Sequence, residues 1–197
     1  MKKSQVASAE AQPSARQNEL LENAYQYVLA HGLSGMSLRP LAAAIGSSPR
    51  VLLFLFGSKD GLIRALLTRA RADEMDLLAS GGGLDFAGTV RAIWGWVSEP
   101  SRRPLLALWA EAFARSLNGP DGPWAQFAGN TVGDWLSVLA AAQPPEQRTT
   151  PSGAIQRSLT LAVIRGSVLD LLATGDVSRT TEAVELFLSQ DLSRPAR

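Results

Sequence analysis

Apolar positions recur at helical spacing almost from the start of the chain. Leu20, Leu21, Ala24, Tyr27, Val28 and His31 follow an i, i+1, i+4, i+7, i+8 pattern that predicts a helix from Arg16. Gly32 ends it. Leu38, Leu41, Ala42 and Ile45 repeat the pattern over a shorter stretch, with Ser37 in the N-cap position and Gly46 as the stop. Pro40 falls in the first turn of that helix, where a missing N–H costs little. Ser48-Pro49 combines a cap with a proline at the first helical position, and Gly57 closes the third helix. Ser58 then caps a longer fourth helix, whose apolar positions are Leu62, Ile63, Leu66, Leu67 and Ala70.

The second half carries the same period. Phe86, Val90, Ile93, Trp94 and Val97 form one stripe, ended by Glu99-Pro100; Leu105, Leu108, Trp109 and Ala112 form another, widened by Leu106, Phe113 and Leu117. A loop at 118–123 precedes the stripe Trp124, Phe127, Thr131, Trp135 and Leu139, which stops at Pro144-Pro145. Two last segments, 153–174 and 180–191, carry apolar residues on more than one face. No alternation of the strand period appears. The reading is an all-α chain of about nine helices. Residues 1–15 are polar and Ala/Ser/Gln-rich and are expected to be a disordered tail. Gly81-Gly82-Gly83 lacks the preceding strand and following Lys-Ser/Thr of a phosphate loop and is expected to be a connector.

Composition narrows the chemistry. The chain has 197 residues, 46% hydrophobic and 19% charged, enough for a real core. It has no cysteine, which excludes disulfides and thiolate metal sites. His31 is the single histidine, so no multi-histidine metal site or Ser-His triad is expected, and no cofactor or catalytic group is assigned. His31 itself reads as a solvated or capping residue, and Glu111 and Arg115, at i, i+4, as a surface pair. No apolar run reaches the roughly 18 residues of a membrane span, and the N-terminus lacks a signal-peptide core. A cytoplasmic protein without a membrane partner is expected. Net charge is +1, but from Arg16 to Arg71 seven basic residues face three acidic ones. A locally basic end suits either a polyanionic partner or an ordinary solvated surface.

Two short helices joined by a tight Gly46-Ser47 turn satisfy the helix-turn-helix plan. There the first helix braces the second, whose amino end enters a DNA major groove. Ser47, Ser48, Pro49, Arg50 and Val51 are then expected to face the duplex, with Leu52 and Phe56 packed inward. Ser37, the N-cap of the preceding helix, is counted with them, and the amino end of the second helix presents free N–H groups to phosphate. Arg50 is the one charged candidate for reading bases, by a bidentate bond to guanine. Lys59 opposes the dipole of the fourth helix, a placement that suits a phosphate contact.

Gly32-x-x-Gly35-x-Ser37-Leu38-Arg39-x-Leu41-Ala42-x-x-Ile45-Gly46-Ser47-Ser48, followed by Phe56-Gly57-Ser58-Lys59-Asp60-Gly61-Leu62, closely resembles the DNA-binding region of the tetracycline-repressor (TetR) family. The resemblance implies a helix-turn-helix domain at 16–60 and an effector-binding and dimerisation domain at 61–197. It implies a ligand-responsive regulator, usually a repressor, bound to a double-stranded operator as a homodimer. Family members usually carry tyrosine or histidine where this chain has Leu53, Phe54 and Leu55. The apolar run is compatible with contacts from Phe54 and Leu55 to thymine methyls, or with a protein that keeps the fold and has weakened or lost DNA recognition.

All five tryptophans lie between residues 94 and 135. The resemblance places a ligand cavity among these helices, so Trp94, Trp109, Phe113, Trp124, Phe127 and Trp135 are candidate walls for a small apolar or aromatic effector. Filling an ordinary core is the alternative. Trp96 lies off its helix's stripe, so it is either exposed or faces a neighbour. Arg165, inside an apolar stretch, is read as a partner for a ligand anion, for Asp170, or for an acid across a dimer interface.

Overall fold

The computed structural model describes residues 14–79, 84–119 and 121–192. The expected tail falls outside them up to residue 13, as does the Gly81-Gly82-Gly83 connector. Ser14 and Ala15, assigned to that tail, belong instead to the start of the first helix. Ser14 Oγ accepts from the Gln17 N–H, and α1 runs Ala15–His31. The described residues contain helices and no strand: α2 is Leu38–Ala44, α3 Pro49–Phe56, α4 Lys59–Ala79 and α5 Phe86–Val97. Further on come α6 (Arg103–Asn118), α7 (Phe127–Ala142), α8 (Pro145–Arg148), α9 (Pro151–Thr174) and α10 (Val177–Leu192).

The count is therefore ten α-helices among the described residues rather than nine. The extra one, α8, is a single turn in the segment read as a proline break; Pro145 sits in its first turn, where the missing N–H is harmless. A one-turn 3₁₀ helix, Pro100–Arg102, likewise starts on a proline. The third stripe of the second half also needs trimming. Trp124 lies before α7, in the turn that Gln126 closes with a left-handed backbone, φ 64°.

The helices assemble two apolar cores. The first gathers Leu20, Ala24, Tyr25 and Val28 of α1 with Leu41 of α2, Leu52 of α3 and Leu62, Leu66 and Ala70 of α4. Leu108 and Ala112 of α6 and Phe127 close it from the second half. The second packs Phe86, Val90, Ile93 and Trp94 of α5 against Leu139, Leu161, Ile164, Val168, Val184 and Leu188 of α7, α9 and α10. Within α1 it is Tyr25 that is buried, while the anticipated Tyr27 is half-buried. Its hydroxyl donates to Asp73 at 2.8 Å while Arg69 sits 4.8 Å above its ring, tying α1 to α4.

Helices α2 and α3 meet at 100°, the geometry of a helix-turn-helix. The corner between α3 and α4 depends on glycine twice. Gly57 takes φ 75°, which side chains resist. At Gly61 a Cβ would lie 2.0 Å from the Phe56 carbonyl oxygen, so only glycine lets the two helices approach. No helix in the described residues is long and apolar enough to cross a membrane.

Burial separates the two faces of α3 sharply: Leu52 is 1% exposed and Phe54 85%. Leu52→Ala is expected to cost about 2–4 kcal/mol of stability. Phe54→Ala should stay within about 0.5 kcal/mol. Urea denaturation of both variants checks the contrast.

Candidate functional site

The first candidate surface is the outer face of α3. Its start is capped: the Ser48 Oγ accepts from the Val51 N–H at 3.3 Å, with Pro49 at the first helical position. Arg50, Val51, Leu53 and Phe54 are exposed beyond this cap, Pro49 is half-buried, and Leu52 points into the core. Ser37 is exposed in the N-cap position of α2, and its side chain makes no capping bond. Lys59 is exposed in the first turn of α4.

Two expected contact residues are turned inward. The Ser47 hydroxyl is sealed from solvent without a partner among the described residues, and its backbone N–H reaches back to the Ala42 carbonyl (2.8 Å), drawing the turn tight. Leu55 packs against the first core, and its carbonyl accepts from Gln17 Nε2 of α1 at 3.1 Å. Phe56 is half-buried, on the inward side as expected.

Ion pairing redistributes the basic surplus of this end. Arg16 pairs with Glu19 at 2.8 Å, Arg69 with Glu22 and Asp73, and Arg71 with Asp134 at 2.5 Å. Arg39, Arg50, Lys59 and Arg64 are exposed and enter no ion pair among the described residues. These four cations lie on α2, α3 and the start of α4. Arg39 and Arg64 were not singled out from the sequence, because which cations remain unpaired is decided by contacts between distant helices.

The second candidate is a slot between α4, α5, α6, α7 and α9. Its walls include Leu67 and Ala70, Trp96, Trp109, Phe127, Trp135, Ile164 and Val168. About 650 Å³ of space lies between them, counting the open mouth, but only about 40 Å³ admits the centre of a water molecule. That is room for roughly three waters. A ring is larger than this free space.

Of the residues nominated from sequence, Trp109, Phe127, Trp135 and Arg165 line the slot. Trp94 does not: it is buried in the second core, its Nε1 donating to Thr181 Oγ1 at 2.8 Å. Trp124 packs on the first core beneath Arg115, 5.0 Å away. Phe113 stands behind the wall, its ring 4.9 Å from the Arg165 guanidinium carbon and 5.2 Å from Trp109. The pairing of Arg165 with Asp170 does not occur, because Arg179 holds Asp170 at 2.7 Å.

The charged members of the slot are Arg71, Glu74 and Arg165. Arg71 grips Asp134 through two bonds, 2.5 and 2.7 Å. Glu74 is buried and accepts from Trp135 Nε1. Burial pushes the Glu74 carboxyl up to about 7; the Trp135 bond, Arg165 and Arg71 pull the other way, while Asp134 adds to the rise. Burial lowers the pKa of the Arg165 guanidinium, and Glu74 opposes the shift. A guanidinium remains charged regardless. Glu74 was invisible in the sequence as one acid among several on α4.

The slot and the helix-turn-helix share walls. Helix α4 carries Lys59 and Arg64 at one end and Arg71 and Glu74 further along. Helix α6 lends Leu108, Trp109 and Ala112 to the slot. From the same helix, Glu111 Oε2 accepts the Leu33 N–H (3.0 Å) and Arg115 donates to Ser34 Oγ (3.1 Å). The pair read as a surface feature, joined at 3.0 Å, therefore clamps the α1–α2 loop onto α6.

No family model matches the chain. It is 27% identical over 135 residues to HTH-type transcriptional regulators of Mycobacterium tuberculosis and Mycobacterium bovis. The match covers 62% of this chain, which spans only 55% of the length of those relatives. Among solved structures, a transcriptional regulator from Rhodococcus sp. Rha1 superposes with a TM-score of 0.73 at 20% identity, over 89% of this chain and 95% of that one. A TetR-family member from Streptomyces coelicolor gives 0.69 at 22% identity, over 90% and 98%. The multidrug binding protein EbrR, complexed with imidazole, gives 0.68 at 22% identity, over 92% of each chain. The chain has the fold of the TetR-family transcriptional regulators.

A carboxyl that binds its proton more tightly in the folded state contributes stability below its unfolded pKa and loses it as pH rises through the folded one. For Glu74 that window runs from about 4.5 to about 7. Glu74→Gln is therefore expected to be neutral at about pH 4, below the unfolded pKa. At pH 8 it should be stabilising, on the order of 2–3 kcal/mol. Thermal unfolding of both proteins across this range tests it.

Proposed function

We propose that this protein is a ligand-responsive DNA-binding transcriptional regulator that acts as a homodimer, usually repressing, in the cytoplasm. The observation that carries the reading is the exposed amino end of α3, with Arg50 at its tip and the unpaired cations Arg39, Lys59 and Arg64 on the flanking helices. Phosphate contacts from such cations provide affinity, and the helix in the groove provides sequence preference. In this reading Arg50 reads guanine, and Val51 and Phe54 meet thymine methyls. Residues 16–60 then act on DNA and 61–197 bind effector and dimerise.

Support for a dimer comes from α9. Ile155, Leu159, Ala162, Gly166, Leu169 and Ala173 recur at four- and three-residue steps, and all six are exposed. Leu186 adds a further exposed apolar residue on α10, at 60%. An apolar stripe of this length on water-facing helices suits a partner helix pair. Two copies joined there would present two α3 helices for successive major grooves, roughly 34–36 Å apart. A ligand in the slot acts through α4 and α6, the helices that form its walls and hold the helix-turn-helix. Regulation follows when the ligand favours one spacing of the two α3 helices over another.

A second reading, a small-molecule binder with the same fold that no longer recognises DNA, has the apolar exposed face of Leu53 and Phe54 in its favour. Selection of bound duplexes from a random DNA pool separates the two. The regulator is expected to enrich a two-fold symmetric site with steep salt dependence; no enrichment at low salt favours the binder. On the enriched site, Arg50→Ala should cost about 1–3 kcal/mol of binding. Leu169→Arg should shift the protein to monomer in sedimentation and abolish tight operator binding.

A further inference from the structure

The polar groups of the slot define the charge of what it accepts. Arg71 is spent on Asp134, through two hydrogen bonds, and contributes no free charge. Glu74 and Arg165 remain. Glu74 is held by Trp135 Nε1. The Arg165 Nη2 is sealed from solvent and has no hydrogen-bond partner among the described residues. The stretches of α5 and α6 that complete the walls, Trp96-Val97 and Leu105 to Ala112, contribute apolar side chains only. Every titratable group facing Glu74 is thus Arg71 on its own helix, Asp134 on α7 or Arg165 on α9.

We propose that the slot binds a flat aromatic monocarboxylate, its carboxylate on the Arg165 guanidinium and its ring against Trp109, Phe127 and Trp135, with Glu74 taking a proton from solvent as the ligand enters. The inference rests on reading the slot as the effector site. A carboxylate matches the planar fork of a guanidinium and gives Nη2 the acceptor it lacks. A ligand ammonium would enter beside Arg165, be repelled by it, and leave Nη2 unpartnered. A neutral aromatic fills the apolar walls and satisfies neither group.

Proton uptake follows from charge. With Arg71 neutralised, a bound anion would put two carboxylates beside one guanidinium between apolar walls. Like charges so placed cannot both remain ionised. Glu74, already ionising near 7 because of its burial, is the one that takes the proton. Once protonated it still accepts from Trp135 Nε1 through one oxygen, and its hydroxyl becomes a donor to the ligand.

Calorimetric titration of the full chain with 2-naphthoate, 2-naphthamide and (2-naphthyl)methylammonium tests the proposal, in buffers of different ionisation enthalpy from pH 6 to 9. The naphthoate is expected to bind at least about tenfold more tightly than the other two. Close to one proton should be absorbed at pH 8, and affinity should weaken by up to about tenfold per pH unit above 7. Arg165→Met should remove the preference for naphthoate over naphthamide. Glu74→Gln should bind naphthoate without proton uptake, and it serves as the decisive variant if Arg165→Met fails to fold. Tightest binding of the ammonium, equal binding of all three probes, or binding of none overturns the proposal. Duplex selection on unliganded protein keeps the two readings apart: a selected operator indifferent to naphthoate sinks this inference alone, whereas failure to select any duplex leaves the calorimetry standing.

Discussion

Helix α4 closes the first core and walls the slot at the same time, and that shared packing constrains everything around it. Leu62, Leu66 and Ala70 close the core of the helix-turn-helix, while Leu67, Arg71 and Glu74 form one wall of the slot. A helix whose backbone bonds run unbroken from Lys59 to Ala79 cannot bend to satisfy one neighbour without moving the other. Close-packed interiors pass such displacements on rather than absorbing them. The ties at its margins, Tyr25–Asp73 and Arg71–Asp134, hold it to α1 on one side and α7 on the other.

Helix α6 runs as a second strut beside it. Its apolar face belongs to the slot and the first core, and Glu111 and Arg115 grip the loop between α1 and α2. Glu111 satisfies the Leu33 N–H, a backbone donor on a buried residue that would otherwise lack a partner. Anything that widens the slot presses on both struts. The two candidate surfaces are therefore joined by packing and hydrogen bonds rather than by a flexible hinge.

Polar groups in the slot follow from the same crowding. Five helices converge there, and the polar side chains that reach it are partly or wholly cut off from water. Arg71 and Glu74 find theirs in Asp134 and Trp135. Arg165 rests over Phe113 and leaves one nitrogen unpaired. Such a donor is costly in an apolar wall.

How much of this was legible in the chain depends on the range of the interaction. The helices, their caps at Ser48 and Ser58 and their stops at Gly46 and Gly57 could be read directly, because capping and backbone conformation involve residues three or four apart. The helix-turn-helix and its outward Arg50 and Phe54 followed from the same local rules. Four placements needed the tertiary structure: Trp94 in the core, Trp96 at the slot, Tyr25 as the latch to α4, and Glu74 as the buried acid. Their partners lie 48 to 87 positions away, at Asp73, Trp135 and Thr181 for the three that hydrogen-bond. Which cations stay free on α2, α3 and α4 was decided the same way, since charge alone does not say which arginines a distant carboxylate will claim.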